Sequence, residues 1–111
     1  MTWLERVSGR SPTTVGPAGG ARDRARLTAL WEPVWQGWRE VAAGRPPAEV
    51  VPYRTSRGTP NQHTIEEILL HMSHHSATYR GQVIALLRSL GLQPASGDLI
   101  TFLRDRGTEG A

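Results

Sequence analysis

The chain has 111 residues, 38% of them hydrophobic, which is room for one small domain, 1–111, with one core. It has no cysteine, so disulfides, thiolate metal sites and a cysteine nucleophile are excluded, and histidine is left as the nitrogen ligand. Its 13 basic residues, all arginine, stand against 10 acidic ones for a net charge of +3, but they are scattered along the chain and cluster only at Arg22, Arg24 and Arg26, around Asp23; nucleic-acid binding, which concentrates arginine on one face, is not expected.

Thr2 to Ser8 reads as a short amphipathic helix with Trp3, Leu4 and Val7 on one side, ended by Gly9 and Pro12. Met1 to Arg10 lacks the basic start and apolar middle of a signal peptide, and no apolar run approaches the roughly 20 residues a bilayer needs. No membrane partner is expected, and the expected location is the cytoplasm. Residues 9–20, rich in Gly, Pro, Ser and Thr, read as a flexible loop. A helix is expected over 21–43, where Leu27, Leu30, Trp31, Val34, Trp35, Trp38 and Val41 keep the helical step and Gly44 with Pro46 ends it. Pro33 removes a backbone bond at a cost of about 3 kcal/mol, so a kink or a fresh start near Glu32 is expected. Residues 46–61 read as a linker in which Val50, Val51 and Tyr53 alternate poorly around Pro52.

The longest helix is expected over 64–91. Its apolar or small residues, Ile65, Ile68, Leu69, Met72, Ser76, Tyr79, Val83, Leu86, Leu87 and Leu90, fall in steps of three and four. Thr64 with Glu67 forms a capping box at its start, and Gly91 and Pro94 stop it. A last helix over 98–105, capped by Ser96 or Asp98, can pack Leu99, Ile100, Phe102 and Leu103 back on the rest, and 107–111 is expected to fray. The pattern predicts an all-α fold in which the 21–43 and 64–91 helices pack antiparallel, Trp31, Trp35 and Trp38 against Leu69, Met72, Tyr79 and Val83.

Three of the four histidines lie on the long helix. His71 and His75 stand four apart, which puts both imidazoles on one face at a spacing that can share a metal. Two ligands do not complete a site. His74 points about 100° away, and His63, ahead of the helix, reaches it only through a turn.

The run LLHMSHHSATYRGQVIALLRSLGLQPASGDLITFL, from Leu69 to Leu103, resembles the C-terminal signature of the DinB superfamily of metal-binding four-helix bundles, close to LLHVVNHxxxHRGQ, then LLRxLG, a Pro and a DLI segment. The resemblance implies an up-down helical bundle in which three histidines hold a divalent metal, one from the second helix and two spaced four apart on this one. Aligned without gaps, the pair falls on His75 and Tyr79, whereas the residues alone select His71 with His75. A phenolate can ligate ferric iron but is a poor substitute for imidazole toward zinc or nickel at neutral pH. Arg80, Gly81 and Gln82 match the family's RGQ; Gly81 is expected to let another helix approach closely, and Arg80 and Gln82 to make surface or site-lining hydrogen bonds.

WLERVSG is similar to the WLxRxxG phrase that closes the family's second helix, so the resemblance implies a bundle lacking the first helix and part of the second, with one ligand histidine expected upstream of Met1. The function implied is that of a DinB-like protein with an incomplete metal triad and no catalytic residue. His71 and His75 are then the metal candidates, Tyr79, Arg80 and Gln82 line the site, and zinc, nickel or iron is the cofactor class. The alternative is an active metal-dependent transferase or isomerase using a low-molecular-weight thiol, its site completed by a partner chain or by upstream residues. A chain without that front leaves part of the long helix uncovered, and a homodimer is expected to cover it.

Overall fold

Capping chemistry sets where each element begins. The computed structural model describes residues 2–13 and 23–109; residues 14–20 of the expected loop, 21–22 of the expected second helix and 110–111 of the expected tail lie outside the described residues. In order the elements are α1 (Thr2–Val7), α2 (Arg24–Gly44), β1 (Val50–Arg54), β2 (Pro60–Thr64), α3 (Ile65–Ser89) and α4 (Leu99–Glu109). Asp23 caps α2 by accepting the Arg26 N–H at 2.8 Å. At α3 the capping box forms as expected: the Thr64 N–H donates to Glu67 Oε2 at 2.9 Å and the Glu67 N–H to Thr64 Oγ1 at 3.2 Å. At its other end Gly91 takes φ +78, and the Leu92 N–H reaches the Leu87 carbonyl at 3.1 Å, the closing bond of a Schellman motif. No helix among the described residues is long and apolar enough to cross a membrane.

The structure is mostly helical, but the expectation of an all-α chain needs correcting. Val50–Arg54 and Pro60–Thr64 pair antiparallel as a hairpin, with Val51 opposite His63 and Tyr53 opposite Asn61. Pro52 masks a period-two pattern: Val51 and Tyr53 point inward while Val50, Pro52 and Arg54 stay exposed. The hairpin closes through Thr55 and Thr59, with Gly58 at φ +84 donating to the Thr55 carbonyl at 2.8 Å. Helix α2 runs through Pro33 with no fresh start near Glu32. The carbonyl that loses its partner is that of Ala29, on an exposed stretch of the helix open to solvent.

The chain divides into two compact units, Met1–Leu70 and His71–Ala111. In the first, Val7, Val41, Val51, Ile65 and Ile68 form the buried cluster, with Trp3, Leu4, Trp38 and Leu69 packed around it. One residue each from α1, α2 and β1 thus meets the first turn of α3. The expected tryptophan stripe is not the buried face of α2. Trp38 packs on the cluster, but Trp31 and Trp35 are 58% and 47% exposed and stack on each other with ring centroids 6.0 Å apart. The inward side is Leu30, Val34, Gly37, Trp38 and Val41, and a Cβ at Gly37 would lie 2.7 Å from Leu4 Cδ2. Gly37 is where α1 docks.

In the second unit the segment after Gly91 folds back until a Cβ at Gly97 would meet Ile84 Cδ1 at 2.8 Å. Helix α4 begins where the Asp98 carbonyl accepts the Phe102 N–H at 3.3 Å. It extends to Glu109, beyond the expected end at 105. Its Leu99, Ile100, Phe102 and Leu103 are exposed, as are Tyr79, Val83, Leu86 and Leu90 on α3.

Ile68 is 2% exposed and Trp35 47%, so their truncations should separate the two faces. Ile68→Ala is expected to lower unfolding stability by about 3 kcal/mol and Trp35→Ala by less than about 1 kcal/mol, read from urea melts. A larger loss at Trp35 would place the working core on the tryptophan stripe.

Candidate functional site

Helix α3 sets three rings in a column. His71, His75 and Tyr79 follow one another at four-residue steps, which stacks them on one face. The His71 and His75 ring centroids are 5.4 Å apart, and those of His75 and Tyr79 4.8 Å apart, the phenol ring edge-on at 63°. All three are exposed, as are Arg80 and Gln82. His74 sits off the column, where its carbonyl accepts from Thr78 Oγ1 at 3.1 Å. Among the described residues a Cβ at Gly81 would meet nothing within 4 Å.

The donor set decides what the column can hold. A column of i, i+4 and i+8 positions cannot close on one ion, because at about 1.5 Å per residue its ends are about 12 Å apart along the axis. An ion would be shared by one neighbouring pair, His71 with His75 or His75 with Tyr79, and would need further ligands. Among the described residues no group of three or more His, Cys, Asp or Glu side chains is gathered to hold a metal. The described residues therefore do not bring together the three histidines that the sequence pattern implies.

The fourth histidine belongs to a different cluster. His63, on β2, has Nδ1 at 2.9 Å from the Tyr53 hydroxyl. The Tyr53 ring meets Trp3 edge-on at 5.0 Å, and Arg6 lays its guanidinium over both, 4.5 Å from the Trp3 ring centroid and 5.1 Å from that of Tyr53. Arg6 is buried at 8% exposure. Sequence reasoning did not find this cluster. Its available signal was the Trp3 to Arg6 spacing of three, which stacks cation on indole within one helical turn; the second ring arrives from β1. Beside Tyr53, an open groove of about 680 Å³ is lined by Ser11, Pro52, Arg54, Pro60, Asn61 and Gln62.

Comparison with curated proteins and with solved structures finds no match. The family model described as DinB family matches residues 24–109, from the first residue of α2 to the last of α4, and takes in the whole histidine column. With most of its length matched, the chain belongs to the DinB family.

Proposed function

We propose that this chain is a non-catalytic member of the DinB family whose metal site is incomplete, a binding module holding at most a loosely bound divalent ion between His71 and His75. The observation that carries this reading is the column itself. Tyr79 stands edge-on to His75 at 4.8 Å, at the position where the sequence pattern of the family places its second helix-borne histidine. A phenol there leaves the family register with one imidazole, and the alternative pair, His71 with His75, has two. Zinc, nickel and ferrous iron all require more ligands than either pair supplies. Gln82, three positions beyond Tyr79, falls on the column's side of the helix and Arg80 about 100° away from Tyr79; both act on solvent or ligand, not on bond-making.

A second copy of the chain is the proposed source of cover and of ligands, in the cytoplasm. Tyr79, Val83, Leu86 and Leu90 follow helical steps along α3 and are 54% to 74% exposed, an apolar stripe of the kind that marks an association surface. Two copies bring four imidazoles from His71 and His75, the ligand number of a tetrahedral zinc site. This is also the form in which the alternative reading, an active thiol-using transferase or isomerase, would gain its missing ligands.

Elemental analysis of the purified chain should find divalent metal well below one ion per chain. One tightly held zinc or nickel per chain would favour the active reading and sink the incomplete one. Tyr79→His offers a nearby test. Because positions 71 and 79 are about 12 Å apart along the axis, the substitution adds an alternative pair and not a third ligand, and nickel affinity by calorimetry should rise only roughly twofold, well under 1 kcal/mol. A gain of about a hundredfold would mean that another residue closes the site. For the dimer, sedimentation at micromolar concentration should give twice the 12.2 kDa chain mass; a monomer with a cooperative melt would remove it.

A further inference from the structure

Arg6 has what the metal column lacks, a built environment, and what it does not have is a counter-charge. It is 8% exposed, and its Nε, fully buried, has no hydrogen-bond partner. An arginine does not shed its proton to escape burial, and buried charges are met by an opposite charge or a hydrogen-bond partner. Even the half-buried Arg45 is met in this way: it donates Nε to Glu49 Oε2 at 2.6 Å, pairs with the same carboxylate through a second nitrogen, and donates to the Val7 carbonyl. Among the described residues no carboxylate pairs with Arg6. Residues 14–22, outside the described set, contain no Asp or Glu.

What holds Arg6 is aromatic. Trp3 and Tyr53, their planes at 69°, make a corner, and the guanidinium carbon lies within 4.5 Å and 5.1 Å of the two ring centroids. A corner fixes the plane of the fork as well as its position. The Tyr53 hydroxyl is in turn tied to His63 Nδ1 at 2.9 Å, so the ring that orients the cation is itself oriented. Attraction to ring faces stabilises the cation but leaves the N–H groups unbonded. A rigid, partly desolvated guanidinium with free donors matches an oxyanion, which takes two of them side by side.

We propose that Arg6, cornered by Trp3 and Tyr53, is the anchor of a binding site for a small oxyanion, a carboxylate or a phosphate. The site lies in the N-terminal unit and is independent of the histidine column. Arg6, the arginine of the phrase that resembles the family's WLxRxxG, lies ahead of the residues 24–109 that the family model matches.

The test uses the full chain labelled with nitrogen-15, titrated separately with sodium acetate and sodium phosphate against sodium chloride at matched ionic strength. Burial slows solvent exchange at the Arg6 Nε–H, so its cross-peak should be visible near neutral pH and identified by its loss in Arg6→Met. The expected result is a saturable shift of that peak in the millimolar range, with a rise in thermal midpoint that chloride does not give and that Arg6→Met lacks. Arg6→Lys keeps the charge without the fork and should bind at least about tenfold more weakly. That variant carries the test if Arg6→Met does not fold. A response to acetate alone assigns a carboxylate ligand, and one to phosphate alone assigns a phosphate. If neither anion shifts the peak beyond the chloride control, or if both variants respond like the unmodified chain, the proposal is wrong.

Discussion

Ile65 and Ile68 enter the core within the first turn of α3, and their burial fixes where that helix starts and which way it is turned. They are 1% and 2% exposed, against Val7, Val41 and Val51 from α1, α2 and β1. Removing apolar surface from water at about 25 cal/mol per Å² is the main stabilising term available to so small a unit. Hydrogen bonds make the placement specific. The Ile65 N–H donates to the Glu49 carbonyl at 2.9 Å and the Glu66 N–H to that of Pro47 at 3.0 Å, so two of the orphan donors of a helix start are satisfied by the strand approach. The capping box satisfies others. The helix therefore starts at a position set by the hairpin.

On α2 the same competition between stripes was decided by a glycine. Two apolar faces overlap in its sequence, one through Leu27, Trp31, Trp35 and Trp38, the other through Leu30, Val34, Trp38 and Val41. The first has more aromatic area and looks the better core. The second contains Gly37, the position at which Leu4 comes close enough to exclude a Cβ without rearrangement. Close approach of α1 outweighs side-chain size, because packing needs a partner of matching shape. Trp31 and Trp35 are left to stack on each other, with the Arg39 guanidinium carbon 5.6 Å from the Trp35 ring centroid.

What was legible in the sequence was what is local. Thr64 with Glu67 and Gly91 announced both ends of α3, because caps are made by neighbours within one turn. The spacing of His71 and His75 was legible for the same reason. The hairpin was not, because β2 reads PNQHT, with no apolar residue, its first four residues exposed and Thr64 half-buried. It is a strand through its backbone bonds to β1, and no hydrophobic alternation marks it. The Arg6 corner was hidden differently. Trp3 and Arg6 are visible together on α1, but Tyr53 and His63 meet them only after the hairpin has folded against that helix.

The two polar clusters have opposite physical standing. In the column every ring is exposed, so its polar groups cost the fold little. Arg6 is different. A buried, unpaired charge costs several kcal/mol of desolvation, and its ring contacts return only part of that, about 2 kcal/mol when desolvated. A small unit with a five-residue buried apolar cluster has little stability to spare for such a residue. Leucine or methionine at this position would fill similar space without the penalty. An arginine kept in an aromatic corner is therefore better explained by what it can bind than by what it adds to the core.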